Sequence, residues 1–369
     1  MLKINKAPET MTARERVLKT FAFEKTDRVP INYGSNPTIH AKSLAAFGCK
    51  PGDTEAFLQI LGVDFRQASA PYIGPLLYEE IPGLQVDPVL GFYSRWVQNP
   101  YGGYQDFCNY PLMGASDEEI ANYPLPSPDD FDYDEAMAKI KSFGDNAIHV
   151  GDAGLCDILN SIGARVMGME DILIGIQTED EAVLGLVDRK LDMELEITER
   201  IIEKAKGRID FLWMGEDLGT QIAPMLSLET YRKVIRPRHQ RFIDLAKSYN
   251  LPVMIHTCGC SSWVYEDFIE MGISAIDALQ PEIPEMAPEY LLENFGGRLS
   301  IQSCISTADP LAFGTPDEVT EYCKNLLALM KKTGGYFFAP SHWIQDNTPV
   351  ENIAAMYQAA HTYGRYDTE

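Results

Sequence analysis

The residues of this chain best suited to chemistry are His256-Thr257-Cys258-Gly259-Cys260, which follow the apolar run Pro252-Val253-Met254-Ile255. A short, partly β-branched run of this kind reads as a buried strand, so the polar residues stand where a strand gives way to a loop. A neutral imidazole and a thiolate are ordinary zinc ligands. Alternate residues of an extended backbone face the same way, so His256 and Cys258 can meet on one ion. A buried histidine beside an inert cysteine is the plain alternative.

A strand that ends in chemistry needs a scaffold that gathers strand ends. Eight strand candidates occur along the chain: Val29–Tyr33, Val63–Phe65, Ala147–Val150, Phe211–Met214, Val253–Ile255, Ala275–Leu279, Leu299–Gln302 and Tyr336–Ala339. Amphipathic helical segments separate them. One runs from near Asp180 to about Lys206 with Leu184, Val187, Leu191, Leu195 and Ile202 on one face. Another runs from Leu228 to Tyr249 and is interrupted at Pro237; a third opens with Thr315 as N-cap and Pro316 at its first turn. This alternation predicts an α/β protein, a (β/α)8 TIM barrel with an N-terminal helical extension. No Gly-x-Gly-x-x-Gly follows a strand and no Walker-type loop is present, so the sequence offers neither a dinucleotide nor a P-loop site. The stretch from Tyr72 to Asp132 is rich in Pro, Gly and aromatics and carries short alternating pieces such as Tyr93-Ser94-Arg95-Trp96-Val97. It is expected to be a β-hairpin insertion into a single domain spanning residues 1–369.

In such a barrel the chemistry sits at the carboxyl ends of the strands. The candidates there are Tyr33, Gln67, Asp152, Glu216, Asp217, His256, Cys258, Gln280, Gln302, Cys304, Ser341 and His342. Ligands from the fifth and eighth strands can meet across the mouth. His256, Cys258 and His342 would then make three ligands and leave a fourth position open, as catalytic zinc requires. Cys304 is the rival third ligand, and Cys260 is placed less well. Glu216 and Asp217 are candidates for a fourth ligand, a catalytic group or a substrate anchor, with helix-capping charge as the plainer reading. Gln280 and Gln302 suit hydrogen bonding to substrate better than metal binding. Tyr33 and Trp343 are candidate pocket walls.

Composition narrows the classes. The chain has 369 residues, 45% of them hydrophobic, and a net charge of −23. That charge disfavours non-specific binding to nucleic acid or anionic membrane. No apolar run reaches the length of a membrane span and the first residues lack the apolar core of a secretory signal, so a soluble, cytoplasmic protein is expected. Seven scattered cysteines do not suggest a disulfide framework. Nothing here fixes an oligomeric state.

The chain also resembles the uroporphyrinogen decarboxylase superfamily. Met11-Thr12-Ala13-Arg14-Glu15-Arg16-Val17-Leu18 with Asp27-Arg28-Val29-Pro30-Ile31 is similar to the family's opening. Gly215-Glu216-Asp217-Leu218-Gly219-Thr220-Gln221 is similar to its central acidic motif. His256-Thr257-Cys258-Gly259, Ala339-Pro340-Ser341-His342 and Thr348-Pro349-Val350-Glu351-Asn352-Ile353 are similar to its last third. The resemblance covers nearly the whole chain and implies a TIM barrel. True decarboxylases carry an Arg-Gln-Ala-Gly-Arg segment after the first strand to hold substrate carboxylates; here Ile31-Asn32-Tyr33-Gly34-Ser35-Asn36-Pro37 has no arginine.

The resemblance is closer to the branch of zinc-dependent methyltransferases that work with corrinoid proteins. It implies Zn2+ on His256 and Cys258, and His342 at a third position commonly held by cysteine. The expected activity is transfer of a methyl group from a small methylated or methoxylated substrate to the cobalt of a corrinoid (cobalamin) carried by a partner protein. Transfer from methylcorrinoid to a thiol, a cofactor-independent decarboxylation with Asp217 and His342 as acid–base groups, and a non-catalytic corrinoid- or tetrapyrrole-binding role are the alternatives.

Overall fold

The computed structural model describes residues 1–366. Its centre is a curled parallel sheet of seven strands: β1 (Phe65–Ala68), β5 (Ala147–Val150), β6 (Phe211–Gly215), β7 (Val253–His256), β8 (Ala275–Leu279), β9 (Ser300–Ser303) and β10 (Tyr336–Phe337), adjacent in that order. A second, antiparallel sheet of β2 (Gln85–Val86), β3 (Tyr93–Asn99) and β4 (Gly102–Cys108) lies within the predicted insertion. The expected hairpin is therefore the larger part of a three-stranded sheet.

The expectation of eight regular strands is corrected at the first. Val29–Tyr33 forms no regular strand, only a bridge from Ile31 to Phe338. The segment nevertheless runs between β10 and β1. Phe338 N donates to Pro30 O at 2.8 Å, Asn32 N donates to Phe338 O at 2.9 Å, and Asp64 N donates to Ile31 O at 2.8 Å. The irregularity has a cause. Ile31 N donates to the Asp64 carboxylate at 2.7 Å rather than to a backbone carbonyl, so the ladder towards β1 is broken by a side chain. The second strand starts late, at Phe65, because Val63 N is spent on Leu58 O at the end of the preceding helix.

Strand alternation divides the core in two. Ile148, Leu212, Val253, Ile255, Ile276 and Ile301 face the helical layer and join the large core. Phe65, Ala147, Phe211, Met254, Ala275 and Phe337 point inward and meet Val17 and Phe21 of the helix Ala13–Phe21. That helix closes the amino end of the curl, with the Phe21 ring 5.2 Å from Phe211 and 5.0 Å from Phe337. Buried ions lock it there. Arg16 donates to Asp27 at 2.7 Å and to Asp64 at 2.5 Å, and Arg28 donates to Asp64 at 2.7 Å. Burial alone would raise the Asp27 pKa, but Arg16 and the Thr10 and Met11 amides outweigh it and hold it below the ordinary carboxylate range.

The helical expectations from sequence are met closely. Asp180 caps Glu181–Ala205 by accepting from Ala182 N and Val183 N. Thr315 and Glu318 form a reciprocal capping box on Pro316–Met330. The interruption expected at Pro237 falls just before it: a π-helical turn, Tyr231–Ile235, precedes Arg236–Ser248, and Pro237 sits in the first turn of that helix.

The insertion lies at the carboxyl side of the sheet. Lys42, on the helix Pro37–Phe47 that follows the first segment, donates to Tyr101 O at the hairpin turn, at 2.6 Å. Arg165, on the π-helix Leu159–Met167 that follows β5, stacks over Phe92 and Phe107 at 5.5 and 4.9 Å. The small sheet thus spans the loops on either side of β1.

Candidate metal centre

The layer of inward residues above the apolar floor is polar. Gln67, His149, Trp213, His256 and Asp277 in it each stand two residues on from a floor position, and Gln302 joins them through its bond to Asp277 and Asn32 through its bond to Gln302. His149 stacks on Phe211 and Trp213 at 5.2 and 5.0 Å, and its Nδ1 donates to Gly151 O at 2.9 Å. Burial pulls its pKa down to about 4, so the ring is neutral.

His256 ends β7, and Cys258 lies in the loop beyond it. The His256 Nε2 and Cys258 Sγ atoms are 3.3 Å apart. His342, in the loop after β10, brings its ring centroid to 6.0 Å from that of His256. One ligand atom from each of His256, Cys258 and His342 falls within 4.8 Å of the others. The three residues are of types that hold a metal ion, and the spacing of the His256 and Cys258 donors is near that of a shared tetrahedral shell. Bond lengths of about 2.0–2.1 Å to nitrogen and 2.3 Å to sulfur in a tetrahedral shell put the two donors roughly 3.5 Å apart.

The surroundings fix His256 and Cys258. His256 Nδ1 donates to Asp277 Oδ2 at 2.9 Å, which leaves Nε2 turned towards Cys258. Asp277 Oδ1 accepts from Gln302 Nε2 at 2.6 Å and from Ser303 Oγ at 3.0 Å. Burial alone would raise the Asp277 pKa, but His256, Gln302 and Ser303 outweigh it, and the carboxylate stays ionised. Asp217 Oδ1 accepts from Cys258 N at 2.8 Å and stands 3.7 Å from His256 Nε2, while its other oxygen accepts from Asn160 Nδ2 at 2.8 Å. Burial is again outweighed, here by His256, the Cys258 amide and Asn160, so Asp217 is ionised too.

Two glycines let the loops after β6 and β7 cross. Gly259 has φ +72°, and a Cβ there would lie 2.2 Å from Gly219 O; a Cβ on Gly219 would lie 2.5 Å from Cys260 N. Across this contact Cys260 N donates to Thr220 O at 2.8 Å. The loop is held a third time where Gly259 N donates to Gln280 Oε1 at 3.1 Å.

The sequence candidates divide between the centre and its supports. Asp217 lies beside the histidine–cysteine pair. Glu216 lies beneath it, fully buried, accepting from Ile158 N and Leu159 N at 3.0 and 2.9 Å and facing His239 Nε2 at 3.3 Å. Burial raises the Glu216 pKa to about 7. It caps the π-helix that brings Asn160 to Asp217. Cys304 is fully buried in the large core, apart from the three-ligand group, and burial pushes its thiol far up. The Tyr33 ring packs against Phe57 and Tyr357, and its hydroxyl meets Ser35 and His40. Trp343 is 57% exposed, next to His342. Gln67 donates to Asp152 at 2.8 Å, and Ser341 Oγ accepts from Thr307 N at 3.3 Å. Asp277, Asn160, Asn32 and His149 were not among the sequence candidates. A lone carboxylate in the apolar run Ala275–Leu279, two residues on from an inward alanine, was the available signal for Asp277.

A curled parallel sheet with a cluster of potential metal ligands at its carboxyl mouth defines a class of α/β enzyme scaffold. The comparisons with known proteins narrow it. The uroporphyrinogen decarboxylase (URO-D) family matches residues 162–363, more than half of the chain, and the protein belongs to that family. A curated relative, uroporphyrinogen decarboxylase of Chlamydia abortus, is 28% identical over 126 residues; the match spans 34% of this chain and about a third, 35%, of the relative. A methyltransferase from Methanosarcina mazei superposes with a TM-score of 0.64 at 17% identity, covering 95% of this chain and 98% of its own. At that identity the likeness shows a shared fold. Among the described residues no helix is long and apolar enough to cross a membrane.

Proposed function

We propose that this protein is a zinc-dependent methyltransferase that moves a methyl group from a small methylated or methoxylated substrate to the cobalt of a corrinoid protein. The observation that carries the reading is the convergence of His256, Cys258 and His342 within 4.8 Å. His256 Nε2, the Cys258 sulfur and a His342 ring nitrogen would hold the ion. Bound zinc would polarise the atom that carries the methyl group. The chain's own residues do the rest. Asp277 and Asp217 keep His256 and Cys258 turned to the same point. Asp217, ionised and next to that point, is placed to orient a donor. Trp343 offers an apolar wall beside His342. In this reading the segment 29–32 serves as the eighth stave of a barrel, residues 1–369 form one domain carrying the insertion, and the mouth stays open for a corrinoid partner.

The second reading is decarboxylation of a carboxylic acid, favoured by the curated relative's name. The arginine-free stretch Ile31–Pro37 speaks against a substrate with many carboxylates. Elemental analysis of the purified protein, followed by incubation with a reduced corrinoid protein and methoxylated aromatic or methylated donors, separates the two. Stoichiometric zinc and donor-dependent methyl-cobalt absorbance support the proposal. Metal-free protein that releases carbon dioxide from a carboxylated substrate refutes it.

A further inference from the structure

Gln302 has the composition of a substrate contact but not the geometry of one. It is 1% exposed, and both ends of its amide are engaged. Its Nε2 donates to Asp277 Oδ1 at 2.6 Å, and its Oε1 accepts from Asn32 Nδ2 at 3.4 Å. Asn32 is tied in turn to the helical layer, its carbonyl accepting from Tyr357 Oη at 2.9 Å. The same Asp277 oxygen accepts from Ser303 Oγ, so Asp277 has no rotational freedom left. Its other oxygen accepts from His256 Nδ1 at 2.9 Å. A continuous chain therefore runs from the seam segment through β9 and β8 to a ligand on β7.

We infer that Asp277 and Gln302 are positioning residues for the metal ligand His256: Gln302, braced by Asn32, orients the Asp277 carboxylate, which holds the proton on Nδ1 and presents Nε2 to the ion. The inference rests on the metal reading above and assigns Gln302 to the support of the site. The physical reason is that an imidazole ligand binds well only in the correct tautomer and orientation. A carboxylate on its far nitrogen fixes both and makes the ring more basic. The carboxylate must itself be held, because a carboxylate free to rotate would trade the imidazole for water.

The test is zinc affinity of the full chain, measured by chelator competition, for wild type, Asp277→Asn, Gln302→Met and the double variant. Thermal unfolding of each metal-free form is recorded alongside. Asp277→Asn is expected to weaken zinc by about 10–100-fold. Gln302→Met should weaken it by a smaller factor in the same direction. The double variant should resemble Asp277→Asn alone, because Gln302 acts through Asp277. If Asp277→Asn does not fold, Gln302→Met and Ser303→Ala carry the test. Wild-type affinity in Gln302→Met, or losses that simply multiply in the double variant, would overturn the inference and leave the metal centre standing. A wild-type chain that takes up no zinc overturns both.

Discussion

Asp217 accepts the amide of Cys258 at 2.8 Å while standing 3.7 Å from His256 Nε2. One carboxylate thus shapes the loop that presents the sulfur and faces the nitrogen paired with it. This couples the acidic motif after β6 to the histidine–cysteine motif after β7, two stretches 39 residues apart at their facing residues Asp217 and His256. Asp217→Asn keeps an oxygen for the Cys258 amide, whereas Asp217→Ala does not. Zinc content is expected to survive better in Asp217→Asn than in Asp217→Ala. Equal loss in both variants would show that the charge, not the hydrogen bond, is what matters.

The proposed third ligand separates position from softness. Cys304 is the softer donor, but it is buried in the large core away from the cluster. His342 is within reach. His342→Ala should lower zinc content and methyl transfer together, and Cys304→Ser should leave zinc nearly unchanged. The reverse pattern in elemental analysis would make Cys304 the ligand.

Much of this arrangement was legible in the sequence because strand ends are. Apolar runs place β5 to β9 well, and a two-residue alternation puts His256 and Cys258 on one side. The segment at Val29 misled because its pattern is that of a strand while one bond of its ladder, from Ile31 N, goes to a side chain, Asp64. Gln302 is a related case. A polar residue near a strand end reads as pointing at substrate, and only the cross-strand contact with Asp277 shows it already occupied. Such pairings depend on register between distant strands, which local pattern does not carry.

The Asp64 site predicts a large stability effect. Arg16 and Arg28 are each 1% exposed and share its carboxylate, which also accepts from Ile31 N. Asp64→Ala leaves two buried guanidinium groups short of an acceptor, and removing one partner from a buried pair costs about 3–5 kcal/mol. Denaturant unfolding of the variant should show a loss of that order. A change under about 1 kcal/mol would mean that Asp27 and Glu9 compensate.

Gly259 should be intolerant of a side chain. Its φ of +72° strains any L-residue, and a Cβ would press on Gly219 O. Gly259→Ala is expected to cost more than about 1 kcal/mol, and to lower zinc affinity because Cys258 is the preceding residue. Unchanged zinc affinity in a folded Gly259→Ala protein would show that the loop crossing is not needed to place the sulfur.

The last prediction concerns acid. His361 is 2% exposed; its Nδ1 accepts from Ala7 N at 3.2 Å and its Nε2 donates to Leu61 O at 2.9 Å. The bond from Ala7 requires the neutral ring, because a protonated Nδ1 cannot accept. Burial, helped by the nearby Arg28 charge, pulls its pKa down from 6.5 to about 4. In the unfolded chain the ring protonates near pH 6.5, so below that pH the unfolded state binds a proton that the folded state refuses. The contribution of His361 is therefore complete above pH 6.5, shrinks as pH falls, and is lost through pH 4. The difference amounts to roughly 3 kcal/mol. His361→Gln removes this titration but leaves the carboxylates alone. Stability measured by denaturant unfolding from pH 7 to pH 4 should fall less steeply in the variant than in the wild type. Parallel curves would assign the acid sensitivity to other groups.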